Sequence, residues 1–191
     1  MTTKTSKKVL LIGNPNSGKS SLFNLLTGIH QKIANYPGVT TEKKSGRVDL
    51  PDLGFELIDL PGTYTLYPNS QDERVVISEL VLSSCDFILC VADAGNLARS
   101  LLLYTQIADC GIPILMVINM VDELKRRGEE INVSLLEKEL DTKIFITNSK
   151  TGEGIDRLKA ALNTQDIRIS GNFFGNAALF EKEKKRSIPQ L

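Results

Sequence analysis

Residues 13–20, Gly13-Asn14-Pro15-Asn16-Ser17-Gly18-Lys19-Ser20, follow the spacing GxxxxGK[ST]. Gly13 and Gly18 let the backbone curl, so that the N–H groups of the loop and of the helix behind it converge on one point. Phosphate oxygens are what such a nest attracts. Lys19 would neutralise the β and γ phosphates of a nucleotide, and the Ser20 hydroxyl would serve Mg²⁺. The bland alternative is a glycine-rich turn with one surface lysine. Four fixed positions match by accident in fewer than roughly one in a hundred chains of this length.

Further segments bear on which nucleotide is bound and whether it is cleaved. In Asp59-Leu60-Pro61-Gly62, Asp59 can hold Mg²⁺ through a water and the Gly62 N–H can meet a γ-phosphate. In Asn119-Met120-Val121-Asp122, a fixed carboxylate at Asp122 can accept both N1–H and N2–H₂ of guanine, a donor pair that adenine lacks. The plainer role for Asp122 is that of an acid in the first turn of a helix. Asn148-Ser149-Lys150 would close over the base, with backbone N–H groups reaching its carbonyl oxygen. Gly38-Val39-Thr40 lies in a stretch of weak periodicity, and Thr40 is the natural candidate to reach both Mg²⁺ and γ-phosphate, with Thr41 as its competitor. A loop held in that way is ordered by the γ-phosphate and released on hydrolysis. Thr63 follows Gly62, so a side-chain base is missing there, and charge on a transferring phosphoryl group must be met by positioning and by cations.

These residues need a sheet to aim them. Short β-rich apolar runs alternate with helical patterns, which predicts a three-layer α/β fold: a six-stranded, mostly parallel sheet with one antiparallel hairpin strand and helices on both faces. Strands are expected over 8–13, 46–50, 55–60, 86–93, 112–119 and 143–147, and helices over 18–27, 71–84, 97–110, 133–140 and 154–162. Residues 29–44 read as one long loop. The turn Pro51-Asp52-Leu53-Gly54 makes the second and third strands a hairpin. Ligands of such sheets sit beyond the carboxyl ends of the strands, where the segments above fall. One domain is expected over 1–164, followed over 165–191 by either a short extension or the start of another module, such as a truncated helical domain.

With 191 residues, 41% hydrophobic and 24% charged, the chain has the composition of a folded soluble domain rather than a disordered one. Lys plus Arg (23) balance Asp plus Glu (23), so no bulk field draws it to nucleic acid or to an anionic surface. The cluster Lys182, Lys184, Lys185 and Arg186 is interleaved with glutamates and reads as a solvated face. Residues 9–12 are too short for the core of a signal peptide. The runs 87–92 and 112–118 fall far short of the roughly 20 residues that cross a bilayer, so this piece is expected in the cytosol. Cys85, Cys90 and Cys110 sit in or beside apolar runs and read as inert thiols rather than as disulfides or metal ligands. His30 has no acidic or nucleophilic neighbour in sequence and reads as a surface or capping residue.

The order of these motifs between residues 13 and 150 resembles the translation-factor-related class of P-loop GTPases. Within it, GNPNSGKSSLFNLLTG, NYPGVTTEKKSG, DLPGTYTLYPNSQDERV and NMVDE are similar to the cytosolic N-terminal G domain of the ferrous iron transport protein B (FeoB) family, over about residues 8–164. The resemblance implies Mg²⁺-dependent GTP hydrolysis to GDP, slow by itself, and switch loops that signal to a membrane-embedded iron-transporting region of the same protein. The domain would then lie on the cytoplasmic face of the inner (plasma) membrane. The resemblance also implies activation by K⁺, held by Asn16 and by backbone carbonyls near Tyr36. Catalytic roles then fall on Asn16, Lys19 and Thr40. Met120 stands where such proteins often carry lysine, Asn148-Ser149-Lys150 where Ser-Ala-x is usual, and Tyr36 where tryptophan is common. No nucleic-acid partner is implied, and assembly into a homo-oligomer is left open. Two other functions share these motifs: a soluble GTPase of RNA or ribosome assembly, and a non-hydrolysing guanine-nucleotide scaffold, which Thr63 keeps in play.

Overall fold

The computed structural model describes residues 7–28, 30–36, 40–67, 70–164, 167–171 and 173. Its strands are β1 (Lys7–Gly13), β2 (Gln31–Asn35), β3 (Glu42–Asp49), β4 (Gly54–Asp59), β5 (Phe87–Asp93), β6 (Ile114–Asn119) and β7 (Ile144–Ile146). The helices are α1 (Lys19–Thr27), α2 (Gln71–Leu82), α3 (Leu97–Ala108), α4 (Val121–Arg127), α5 (Val133–Leu140) and α6 (Ile155–Thr164). The strands form one sheet in the order β2-β3-β4-β1-β5-β6-β7. From β4 to β7 every pairing is parallel, while β2–β3 and β3–β4 are antiparallel.

Alternation along the central strands sends side chains to two separate cores. Leu10, Ile12, Ile58, Ile88, Cys90, Met116 and Ile118 face one side, where Val76 and Leu80 of α2, Leu103 and Ile107 of α3 and Leu140 of α5 pack on them. Val9, Leu11, Leu57, Leu89, Val91, Leu115 and Val117 face the other, under Leu22, Phe23 and Leu26 of α1 and Leu158 and Leu162 of α6. Residues such as Leu11 and Leu89 are fully buried, so truncation of either to alanine costs about 2–5 kcal/mol. Burial pushes the Cys85 thiol up to about 11 and those of Cys90 and Cys110 to about 12, and all three are free.

The sheet has seven strands where six are expected. The extra one is β2, whose five residues are all exposed. It is held by pairing with β3, from Gln31↔Gly46 to Asn35↔Glu42, and not by burial, so no apolar alternation marks it. The stretch read as one long loop is therefore a second hairpin, with Tyr36 N–H donating to the Thr41 carbonyl at 3.0 Å near its tip. The β3–β4 hairpin has the expected turn, with Leu50 N–H donating to Leu53 O at 2.8 Å. Helix α4 is also additional. It buries Leu124, but it starts with Asp122 and Glu123, ends with Lys125, Arg126 and Arg127, and stops at left-handed Gly128, which suits the helix dipole at both ends.

Helix α2 opens on a capping box. Ser70 accepts from the Glu73 N–H, and Glu73 accepts from the Ser70 N–H, a device worth about 1 kcal/mol. Beyond α6 the described chain stays on the same body. Arg168 bridges to Ile114, Tyr104 Oη donates to Ser170 Oγ at 2.8 Å, and the Phe173 ring meets Tyr104 edge-on at 6.3 Å. Among the described residues no helix is long and apolar enough to cross a membrane.

Candidate nucleotide site

The loop from Gly13 to Ser20 joins the end of β1 to the start of α1 beyond the carboxyl edge of the sheet. Asn16 (φ 64°) and Gly18 (φ 80°) both take left-handed backbone, which asparagine and glycine tolerate best. Any Cβ on Gly18 would lie 2.1 Å from Asn119 Nδ2, so that position is closed to other residues by space as well as by φ. Gly18 caps α1 without a side chain, which leaves the first N–H groups of the helix for an incoming anion.

Below this loop lies the most concentrated charge of the site. Lys19 is 8% exposed and Asp59 is 7% exposed; the ammonium donates to Asp59 Oδ1 and to the Leu60 carbonyl. Ser20 Oγ donates to the other carboxylate oxygen of Asp59 at 3.2 Å. The ends of β4 and α1 are thus locked together by the three groups expected to handle phosphate and Mg²⁺. Gly62 closes this side: a Cβ there would come within 3.0 Å of Pro15 Cα, and Thr63 N–H donates to Gly13 O at 3.2 Å. A cavity of about 470 Å³ opens between these elements, with Asn14, Asn16, Lys19, Ser20, Gly62 and Asp72 on its walls.

Asn14 is buried, and neither its Oδ1 nor its Nδ2 has a partner among the described residues; the same holds for Ser17 Oγ. Unpaired buried groups of this kind cost about 1–3 kcal/mol each and mark where a ligand or water completes the site. Two oxygen ligands on adjacent elements, Ser20 Oγ and Asp59, are a hard donor set, and they fit a small divalent cation with phosphate oxygens on its open side.

The other half of the site is built around Asn119 at the end of β6. Its Nδ2 donates to Ser17 O at 2.9 Å and its Oδ1 accepts from the Ser149 N–H at 2.9 Å. One side chain therefore ties the phosphate loop to the segment from Asn148 to Lys150. Met120 follows in left-handed backbone (φ 64°) and starts α4, so Asp122 stands in the first turn of that helix, its side chain 40% exposed. That placement suits the dipole of α4. Arg126 Nη2 donates to its Oδ2 at 3.2 Å, and Asn148 Nδ2 approaches its Oδ1 at 3.5 Å.

The segment from Asn148 to Lys150 lies beside Asn119 and Asp122. Its N–H groups are already used: Asn148 donates to Glu153 O, Ser149 to Asn119 Oδ1 and Lys150 to Asn148 Oδ1. The Asn148 carboxamide folds back, its Oδ1 accepting from the Lys150 N–H at 3.0 Å and from the Thr151 N–H at 3.4 Å. Ser149 Oγ is buried and without a partner among the described residues.

The hairpin between β2 and β3 lies beside this site. Thr40 is exposed, and no bond joins it to Ser20 or Asp59 in the described contacts; Thr41 Oγ1 instead donates to Asp72 Oδ1 at 2.9 Å. Gly38 and Val39 lie outside the described residues. Tyr36 points inward, 6% exposed, with Lys43 Nζ 5.1 Å from its ring centroid. Burial and the nearby Glu79 and Asp59 carboxylates raise the Tyr36 phenol well above its ordinary range. Asp72 was not anticipated from sequence, since an acid in the first turn of a capped helix has an ordinary explanation.

Thr63 is 2% exposed, and its hydroxyl donates to Thr65 O at 2.7 Å, so it is tied into its own turn and is no base. His30 is exposed and serves through its backbone, accepting from Arg47 N–H at 3.1 Å.

Residues 7–162 match the family described as ferrous iron transport protein B. The Fe(2+) transporter FeoB of Leptospira biflexa is 41% identical over 161 residues, which is 84% of this chain and 23% of that protein. That of Escherichia coli strain K12 is 39% identical over 157 residues, 80% of this chain and 20% of that protein. The chain thus spans about a fifth to a quarter of the length of these relatives. Among solved structures, the cytosolic domain of Thermotoga maritima FeoB in a GDP form superposes with a TM-score of 0.83 at 38% identity, covering 88% of this chain and 67% of that one. Its GMPPNP form gives 0.81 at 31% identity, covering 97% and 88%. With the loop from Gly13 to Ser20, the seven-stranded sheet and these matches in agreement, the chain belongs to the ferrous iron transport protein B family and has the P-loop fold of its G domain.

Proposed function

We propose that this chain binds GTP and GDP, hydrolyses GTP to GDP and phosphate, and acts as the switch of a membrane ferrous iron transporter. The observation that carries the reading is the buried cluster of Lys19, Asp59 and Ser20 under an uncapped helix N-terminus. Lys19 is poised to exchange its carboxylate partner for phosphate oxygens, and doing so frees Asp59 to face a cation. Asp122 and Asn148 read the base, with the Asp122 carboxylate accepting from the guanine N–H groups.

Ser20, Asp59 and Thr40 would hold Mg²⁺, and Asn16 with carbonyl oxygens near Tyr36 would hold K⁺. When bound, these cations neutralise charge on the transferring phosphoryl group. The chain itself supplies no general base at position 63, so it positions the attacking water by main-chain groups and closes the site by moving Thr40. That movement breaks the Thr41–Asp72 bond and opens the hairpin at Tyr36, which is how nucleotide state reaches the surface. Replacement of Lys19 by methionine tests the core of this reading. Titration calorimetry should show guanosine di- and triphosphates binding to the native chain, no binding of adenosine nucleotides, and loss of binding in the variant. Retained micromolar affinity in the variant, or preference for adenosine ligands, would overturn it.

A further inference from the structure

The two edges of the sheet are finished differently. On one side β7 has three residues, and its Ile144 N–H is capped by the Glu137 carboxylate at 3.0 Å. A short strand with a charged cap is a protected edge. On the other side β2 has five residues, every one exposed, in an unbroken register with β3 from Gln31↔Gly46 to Asn35↔Glu42. It contains no proline and no bulge, and among the described residues nothing pairs with its outer side. At its centre Ile33 is 66% exposed.

We propose that β2 is a self-association edge, which pairs antiparallel with β2 of a second copy across a two-fold axis at Ile33. The register decides the occupant. With the axis at Ile33, Gln31 faces Asn35 of the other copy, Lys32 faces Ala34, and Ile33 faces itself. The exposed isoleucines then cover each other, and the two lysines stand diagonal rather than opposed. An axis at Lys32 would place ammonium against ammonium, and one at Ala34 would set Ile33 against Asn35 and leave the isoleucines uncovered, so the alignment at Ile33 is the favoured one. The pattern is the self-complementary one that an isologous contact requires.

Gln31, Ile33 and Asn35 share the face of the sheet that carries α1, because Gln31 Nε2 donates to Asn24 Oδ1 at 3.0 Å and to Gly28 O at 2.9 Å. Those bonds hold β2 straight and ready to pair. A contact of one short strand buries little surface, which places it among weak, reversible interfaces. In a protein whose copies share a membrane plane, high local concentration would compensate. No bound nucleotide is needed for this pairing, so it stands or falls apart from the GTPase reading.

The test uses the full chain in sedimentation velocity over a concentration series. The native chain should shift toward dimer as concentration rises. Ile33→Lys and Ile33→Glu should each stay monomeric, because a residue on the axis meets its own charge. An equimolar mixture of the two variants should regain association, since unlike charges then face each other. Ile33→Thr, uncharged and suited to a strand, should weaken association several-fold without abolishing it. Position 33 is exposed, and unchanged thermal melting of all three variants confirms that the fold is kept. A native chain that is monomeric throughout, association that survives both charges, or loss with one sign alone would each overturn the proposal. The last outcome would mark a partner other than this chain.

Discussion

The phosphate loop and the hairpin that carries Thr40 face the same cavity, yet they are held by opposite means. Residues 13–20 are fixed from beneath, by Asn119 on Ser17, by Thr63 on Gly13 and by the buried pair Lys19–Asp59. The hairpin is fixed from its rim. An exposed β2, one main-chain bond from Tyr36 to Thr41 and one exposed hydroxyl bond from Thr41 to Asp72 hold its tip. Buried bonds must all break together, whereas exposed ones exchange with water one at a time. On the proposed reading the loop would be the rigid recogniser and the hairpin the movable reporter, a difference that rests on solvation.

The largest test of that contrast is removal of the rigid side's central charge. Lys19→Ala should abolish nucleotide binding by calorimetry. It also leaves Asp59 buried without its cation, a loss of about 3–5 kcal/mol in urea unfolding. An exposed lysine would show neither effect. Next in size, Asp122→Asn should exchange guanine for xanthine preference, a swing of roughly a hundredfold for two hydrogen bonds to a charged acceptor. Competition between the two nucleotides measures it, and an unchanged profile would leave Asp122 with its helix-dipole role alone. Asn16→Ala should erase stimulation of single-turnover hydrolysis by K⁺ over Na⁺ while leaving GDP affinity nearly intact. Stimulation that survives would move the second cation elsewhere.

The same contrast explains what the chain announces in sequence. The phosphate loop was legible because its chemistry requires specific residue types at fixed spacing, and the strand and helix around it carry the periodicity of a buried core. The sheet order, with β1 central between β4 and β5, follows from apolar strands that must be covered on both faces. Strand β2 and helix α4 lack hydrophobic periodicity for a shared reason. Gln31–Asn35 is stabilised by a partner strand and Val121–Arg127 by charges at its two ends, and neither contributes the apolar stripe on which periodicity depends. Had acid-first, base-last order and Gly128 been weighed, α4 could have been found. Asn148 accepting from the Lys150 N–H is an Asx turn, which asparagine favours locally but does not make at every position, so the residue type alone does not fix it.

The smallest effect is the most informative about the hairpin. The Thr41–Asp72 bond is exposed, so its loss should cost only about 0.5–1.5 kcal/mol. Thr41→Val and Asp72→Ala should each raise the rate of amide exchange at Tyr36 several-fold, and slightly favour triphosphate over diphosphate, since the hairpin is freed to deliver Thr40. Because both changes remove one bond, the double variant should match either single one, as expected of coupled positions. Additive effects would mean that the two residues act separately, and that the hairpin is held closed by the burial of Tyr36 against α2. In that case Tyr36→Ala, and not either latch variant, would be the change that sets the switch free.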